Sequence, residues 1–316
     1  MATASAVTNV FSAPGALMDE NFADVLDARF AFVKQRAWET PIQGLKYWNV
    51  RDTDRSYEKH SYVTDVGTMP KSRDVDVMPL TEKIQGFDNT YTPETYRLAI
   101  RVEQRLRETD MFGVIDRMMS DLNQSAKDTI ELYAALPFNT AFAATVEWIC
   151  ADGMNLIDKD RPSEDPTQAN WDNEDTSSTL TADAVSTMRV DFAKHKNGRG
   201  RIRPIRMEKI VIPIDLESTA IEELGSALKP GSSLNNKNAL TEYNLNYEVW
   251  NYLTSTAFWY GMGPKDDLYE LFWYWGVRPQ TGDDETGNPN VWGKYLRQVF
   301  VTGADKPSSL RGNQGA

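Results

Sequence analysis

A long stripe of apolar residues between Phe112 and Leu136 requires a fold that can bury one face of a helix of about 25 residues. The stripe recurs every three to four residues, which predicts one amphipathic helix. About 25 residues at 1.5 Å each give roughly 37 Å, which is long for a helix of a single globular domain. Asp110 is placed to cap the first turn, and Pro137 is expected to end or kink the helix. The stripe consists of Ile115, Met118, Met119, Leu122, Ala126, Thr129, Ile130 and Tyr133.

The stretch from Lys46 to Glu108 has no apolar face large enough for a core of its own. Its short extended segments are separated by turn residues such as Gly67 and Pro70, and alternation over 96–102 predicts a strand. A two-stranded excursion of this kind is unstable alone in water. We therefore expect it to pack on another molecule.

The segments on either side of this region are more regular. Before it, the run from Asp19 to Trp38 has the spacing of an amphipathic helical arm. After the long helix, an acidic connection leads to a second unit with helix, strand and helix at 181–196, 210–214 and 218–228, the last capped by Ser218. Further strands are predicted at 249–253, 258–260, 268–275 and 295–301, before a polar tail. The fold class is α+β.

Composition excludes several classes of protein. The chain has 316 residues, one cysteine and two histidines, so Cys150 has no partner for an internal disulfide, and a Cys/His zinc site is not expected. No apolar run reaches the roughly 18 residues of a membrane helix, and the N-terminus lacks the pattern of a signal peptide. We expect a cytosolic, soluble protein without a membrane partner.

The motifs of catalysis are missing from the sequence. Neither histidine lies beside a recognisable nucleophile, and Gly198-Arg-Gly200 lacks the third glycine of a dinucleotide site. Asp158, Asp160 and Asp165 do not follow the calcium-loop order. The aromatic tract Phe272–Trp275 leaves open a carbohydrate-binding or glycosidase domain, although four consecutive aromatics better fit a strand between two packed layers. We predict no catalytic, metal or cofactor site.

The net charge of −12 is unevenly distributed. Residues 189–209 carry eight basic side chains against two acidic ones, and residues 152–175 carry eight acidic against two basic. Such opposite zones suit self-association or charge-steered docking. Three interpretations of the basic zone stay open: contact with a neighbouring subunit, a solvated hairpin, or a polyanion site. Seven of its basic residues form what is here called the basic cluster: Lys194, Lys196, Arg199, Arg201, Arg203, Arg206 and Lys209.

The order of these segments resembles the major capsid proteins of tailed bacteriophages, which have the Hong Kong 97-type shell fold. The chain is most similar to the branch that includes the major head protein of phage Mu. The resemblance rests on the order of several short motifs over about residues 20–316. They are Thr90-Tyr91 through Asp110–Gly113, Asp152-Gly153 through Trp171–Asn173, Pro204–Leu216 with its Ile210-Val-Ile-Pro core, Asn235–Asn238, Trp250–Thr254 and Leu310–Gly312.

This resemblance implies a division of the chain into four parts. They are an N-terminal arm (1–45), an extended loop (46–108), a peripheral domain with a long spine helix (109–180 and 263–302), and an axial domain (181–262 and 303–316). It also implies contacts between subunits, which we place at basic residues of the cluster and of the loop. These are Lys194, Lys196, Arg199, Arg201, Arg203, Arg206, Lys71, Arg73 and Lys83. A lysine–asparagine crosslink, which some relatives form, is not inferred, because no acceptor environment is recognisable.

The resemblance further implies a structural role. The chain is expected to build the hexamers and pentamers of a virion shell around double-stranded DNA, without sequence-specific DNA binding and after assembly in the host cytoplasm. A separate scaffolding protein, a portal and a decoration or cement protein are the expected partners. The alternative within the fold is the shell of an encapsulin-like nanocompartment.

Overall fold

The computed structural model describes residues 38, 41–64, 66, 68–72, 78, 80, 82–103, 113–143, 148–230, 236–243, 245–265, 271–283 and 291–315. The predicted N-terminal arm and the Asp110 cap lie outside these residues, apart from the end of the arm. Ten strands are described: β1 Asn49–Asp52, β2 Glu58–Val63, β3 Gln85–Tyr91, β4 Glu94–Glu103, β5 Lys209–Ile212, β6 Asn246–Val249, β7 Trp259–Met262, β8 Leu271–Asp283, β9 Val291–Ala304 and β10 Leu310–Asn313. The α-helices are α1 Val114–Asn139, α2 Ala182–Ala193, α3 Glu217–Gly225 and α4 Leu240–Tyr243. Among the described residues, no helix is long and apolar enough to cross a membrane.

The long helix α1 confirms the predicted helix. It extends to Asn139, two residues beyond Pro137, so the proline lies in the last turn instead of ending the helix. This position is tolerated because a proline removes only one amide donor, and few residues follow it in the helix. The buried positions of its first half, among them Ile115 and Leu122, pack with Val102 and Leu296.

One sheet has the strand order β1-β8-β9-β4. Strand β1 runs parallel to β8 and pairs Asn49 with Phe272. The aromatic tract at the start of β8 is buried on both faces, with Trp273 0% and Tyr274 6% exposed. A strand between two packed layers was predicted from this tract, and a flat carbohydrate-binding platform is excluded because neither face is open.

The second sheet has the order β10-β7-β5-β6. Its strand β5 and helix α2 share one hydrophobic cluster, and both belong to the helix–strand–helix unit predicted at 181–228. Strand β5 is buried between parallel β6 and antiparallel β7. Val185, Met188 and Phe192 of α2 pack against it, and Thr181 caps this helix by accepting a hydrogen bond from the Ala184 amide. The predicted helix and buried strand are confirmed.

Three local predictions were wrong. The last residues are not a polar tail, because Leu310–Asn313 forms the buried strand β10 against β7. Helix α3 begins at Glu217 with no side-chain cap, so Ser218 lies inside the helix. The strand predicted at 249–253 ends at Val249, since Trp250 turns into the core and is 0% exposed.

The chain divides into two compact units. One contains the described parts of Met1–Pro41, Leu98–Ala126 and Thr281–Leu296, and the other contains Ile42–Arg97, Lys127–Gln280 and Arg297–Ala316. The predicted division into arm, loop, peripheral and axial parts is not tested by this result and stays a prediction. All residues of the candidate site belong to the second unit.

Candidate assembly site

The part of the chain predicted as an extended loop contains a separate two-stranded hairpin. Strands β2 and β3 are antiparallel, pair Glu58 with Tyr91, and shift register between Ser61 and Val63. The hairpin closes where the Thr64 amide donates to the Ile84 carbonyl over 2.9 Å. The ends of the predicted loop differ from this hairpin: β1 and β4 belong to the four-stranded sheet.

Large apolar side chains beyond the hairpin are open to solvent. Met69 is 99% exposed, Leu80 96% and Met78 84%. Single exposed apolar residues are ordinary on a protein surface, but several in one segment indicate an interaction surface. Among the described residues, none covers these three apolar side chains beyond the hairpin.

At its other end, the hairpin is attached by a chain of hydrogen bonds. His60 on β2 lies 2.6 Å from Asp305 through Nδ1 and 2.7 Å from the Tyr274 hydroxyl through Nε2. The Tyr91 hydroxyl donates to the other carboxylate oxygen of Asp305 over 2.5 Å. The sequence did not identify these two hydrogen-bond partners of His60, because they come from β8 and the segment after β9, more than 200 residues away.

Two arginines of the basic cluster hold the middle of the loop. Arg199 pairs with Asp165 at 3.3 Å and donates to the Glu82 carbonyl, while Arg201 donates to the Val66 carbonyl. Gly198 lets this turn lie against the acidic segment, since a Cβ there would be 2.2 Å from Oε2 of Glu164. At these two arginines, the basic turn therefore contacts the loop and acidic segment of its own chain.

The remaining predicted inter-subunit residues lie elsewhere on the surface. Six of them are exposed, Arg73 lies outside the described residues, and their contact with a neighbouring subunit stays a prediction. The six are Lys71, Lys83, Lys194, Lys196, Arg203 and Arg206.

The acidic segment 152–175 is largely neutralised within the chain. Arg161 is 0% exposed and pairs with Asp152 at 2.7 Å. Glu164 pairs with Lys306, and Asp172 and Asp175 both pair with Arg311, each at 2.7 Å. Sequence reasoning missed these three cations, since their partners are identified only by the fold. Most carboxylates of this segment therefore have a basic partner within the described part of the chain.

Burial shifts the pKa values of this region. Burial raises the pKa of Asp152 and of Asp175 despite their arginine partners, because the charged forms lose hydration. Burial also raises the pKa of the Cys150 thiol to about 12, so this cysteine is unreactive near neutral pH. Hydrogen bonds from Thr167 are the main cause that lowers the pKa of Asp165.

The motif that ends at Trp171–Asn173 meets the Leu310–Gly312 motif here, although the two are far apart in the sequence. Asn173 donates to the Leu156 and Leu310 carbonyls, and the Trp171 ring lies 5.3 Å from the Arg161 guanidinium. A polar pocket of about 360 Å³ opens beside them, lined in part by Asp191, His195 and Arg311. Within the described part of the chain, no cluster of histidine, cysteine and carboxylate side chains could hold a metal ion.

Solved structures identify the class to which this fold belongs. The mature capsid of bacteriophage PhiM1 matches with a TM-score of 0.59 at 8% identity, over 87% of this chain and 86% of that chain. The capsid of cyanophage P-SCSP1u matches with a TM-score of 0.55 at 8% identity, over 85% and 86% of the two chains. A structure from Microbacterium phage Oxtober96 gives 0.53 at 8% identity, over 88% and 92%. The chain has the Hong Kong 97-type fold of tailed-phage capsid subunits.

A match between the sequence and a family model identifies the family within this class. A family model described as phage capsid protein matches residues 88–311, which is most of the chain. The chain therefore belongs to the phage capsid protein family: it is a structural protein of the virion that assembles with itself into a shell, and not an enzyme. No curated protein was found to match its sequence. The predicted resemblance to tailed-phage capsid proteins is confirmed, and the phage Mu branch stays a prediction.

Proposed function

We propose that this capsid protein forms the hexamers and pentamers of a tailed-phage head, and that the segment beyond its hairpin docks on a neighbouring copy. The proposal rests on one observation: the hairpin is attached to the body at one end and exposes apolar side chains at the other. One end is bound to the body through His60, and the other presents Met69 and Leu80 almost fully exposed. An anchored segment with an uncovered apolar end is suited to an intermolecular contact.

The packaged polymer in this proposal is double-stranded DNA, held without sequence-specific contacts. The net charge of −12 supports this, because an acidic protein does not gain the phosphate neutralisation that drives general DNA binding. A separate scaffolding protein, a portal and a decoration protein complete the proposed assembly in the host cytoplasm. The family match to phage capsid protein favours this role over a nanocompartment shell.

The test replaces the apolar contact residues without disturbing the hairpin. We expect the triple variant Met69→Ser, Met78→Ser and Leu80→Ser to fold, because these side chains are exposed, but to form few closed shells. The matched control replaces three exposed apolar residues outside the loop and the basic cluster by serine: Leu132, Ile214 and Ile221, which are 59%, 55% and 53% exposed. Electron microscopy and sedimentation measure the yield of shells.

A shorter loop gives a second version of the test. Replacing 66–82 by an Asn-Gly turn keeps the pairing of β2 and β3 and removes the whole apolar end. We expect folded subunits that do not close into shells. Normal particles from both variants would contradict the docking role of the loop.

A further inference from the structure

We infer that the hydrogen-bonded chain Tyr274–His60–Asp305–Tyr91 is a positioning latch, which sets the direction of the hairpin so that it meets a second copy of the protein. The inference rests on the proposed docking of the loop and names the residues that orient it. These four residues are positioning residues, since none of them lies in the exposed apolar segment that makes the proposed contact.

The geometry of the latch joins four separate parts of the chain. His60 lies on β2, Tyr91 ends β3, Tyr274 belongs to β8, and Asp305 follows the last residue of β9. Both strands of the hairpin are thereby bonded to Asp305, and β2 is bonded to β8 as well. A rotation of the hairpin about its attachment would break at least one of these hydrogen bonds.

Packing around the latch leaves little room for another arrangement. The His60 ring lies edge-on against Phe272 and Tyr91, with centroids 4.8 and 5.1 Å away. The side chains of His60 and Asp305 are only 20% and 10% exposed. Gly303 on β9 accommodates the Tyr91 ring, since a Cβ at this position would lie 2.0 Å from it.

Histidine suits the centre of the latch because its two ring nitrogens point in different directions. A carboxylate only accepts hydrogen bonds, so the neutral ring donates from Nδ1 to Asp305 and accepts the Tyr274 hydroxyl at Nε2. One side chain therefore joins the carboxylate of Asp305 to the hydroxyl of Tyr274.

The remaining attachments of the loop do not fix its direction in the same way. Arg199 and Arg201 contact the loop through main-chain carbonyls of Glu82 and Val66, at exposed hydrogen bonds. Hydrogen bonds that water can replace contribute little to stability, whereas the latch is shielded by aromatic rings. The latch is thus less open to replacement by water than these two hydrogen bonds.

The test measures hydrogen exchange and shell yield for single-residue variants of the full chain. Asp305→Ala removes both bonds to the hairpin, and Tyr274→Phe removes one hydroxyl while keeping the ring. For both, we expect amides of 58–63 and 85–91 to exchange about tenfold faster in the unassembled protein. Amides of Lys209–Ile212 should keep their rate, and assembly should shift from closed shells to open or irregular polymers.

Two further variants separate positioning from general stability. Asp305→Asn is the conservative rescue, because its amide accepts from Tyr91 and donates to His60 in the other tautomer. Tyr96→Phe is the matched control, since that hydroxyl donates to Glu94 outside the hairpin. We expect both to exchange and assemble as the unmodified chain does.

The outcomes distinguish failure of the latch from failure of the proposed function. Three results would overturn the latch. The first is that exchange in Lys209–Ile212 rises as much as in the hairpin, and the second is that exchange in the hairpin does not change. The third is that the Asp305→Asn variant is as defective as Asp305→Ala. Normal shells from a variant whose hairpin exchange has risen would also overturn it. An unmodified chain that forms no shells would instead count against the docking role, and with it the purpose of the latch.

Discussion

At the scale of single residues, Arg161 links the acidic segment to the fold. Its guanidinium is fully buried, pairs with Asp152, and donates to the Asn155 and Leu156 carbonyls. A buried ion pair is costly to break from one side, because the remaining charge loses its partner without regaining water. In the sequence this arginine is one of two basic residues among eight acidic ones, and nothing in that pattern distinguishes it.

Removal of this guanidinium tests the argument. We expect Arg161→Ala to lower the free energy of unfolding by about 3–5 kcal/mol, since Asp152 stays buried and unpaired. Arg55→Ala is the control: Arg55 is 77% exposed where it pairs with Glu58, and its loss should cost less than about 1 kcal/mol. Urea denaturation of the full chain measures both, and similar losses would contradict a structural role of the buried pair.

His195 makes stability depend on pH. Burial, with smaller effects of Lys306, Arg311 and Arg203, lowers the pKa of His195 to about 4. The unfolded chain, with an ordinary pKa near 6.5, therefore binds the proton first as the pH falls. The stability contributed by the neutral, buried ring is fully present above about pH 6.5 and is lost as the pH falls towards 4.

A pH series on one variant measures this contribution. Between pH 7.5 and 5, the free energy of unfolding should fall more in the unmodified chain than in the His195→Gln variant. The difference should be about 2 kcal/mol. The carboxylates titrate in both proteins, so they largely cancel in the difference. If the free energy of unfolding depends on pH in the same way in both proteins, His195 gains its proton equally in the folded and unfolded chains.

At the scale of elements, β8 and β9 meet at an aromatic cluster. The Phe300 ring on β9 stacks on Tyr96 and on Trp273, with both centroids 4.5 Å away. Tyr133 of α1 also contacts it, at 5.6 Å. The sequence predicted that the aromatic tract of β8 is buried, but not that β9 supplies the ring at its centre.

Truncation of this ring is expected to weaken the sheet. Phe300→Ala should cost about 3–5 kcal/mol of unfolding free energy, because it removes a buried ring and leaves a cavity. Tyr57→Ala, at a residue 54% exposed, should cost about 0.5 kcal/mol or less. Thermal and urea unfolding compare them, and a small effect at Phe300 would mean that neighbouring rings close the cavity.

The elements differ in how far the sequence predicts them. Helices α1 and α2 and strand β5 follow from local periodicity and are confirmed. Strand β10 was mistaken for a tail, since Leu310–Asn313 shows no strand pattern and is buried only because β7 lies beside it. Short edge segments of this kind depend on a distant partner strand, which local periodicity does not identify.

At the scale of the whole molecule, the exposed part of the basic cluster is a second candidate for contact between subunits, beside the loop. Lys194, Lys196 and Arg206 are exposed, whereas Arg199 and Arg201 contact their own loop. Oppositely charged surfaces of neighbouring copies attract each other, and salt screens that attraction.

Charge reversal tests this candidate. We expect replacement of Lys194, Lys196 and Arg206 by glutamate to reduce shell yield, and to do so most at low salt. The control reverses three other surface lysines, Lys159, Lys229 and Lys237, whose side chains are 68%, 38% and 70% exposed, and so changes the net charge by the same amount. Sedimentation across a salt series measures assembly, and equal yields from the two triple variants would leave the cluster as a solvated surface.

For the whole molecule, the sequence by itself determined the secondary structure of the longest segments, the α+β class, and the family, because these depend on local periodicity and on the order of motifs. Only the tertiary structure decided which polar and charged side chains pair. The partners are far apart along the chain. The separation is 34 residues for Asp165 and Arg199, 136 for Asp175 and Arg311, and 245 for His60 and Asp305. Such contacts depend on how distant strands pack against each other, so the pattern of residues along the chain predicts opposite charges but not their partners.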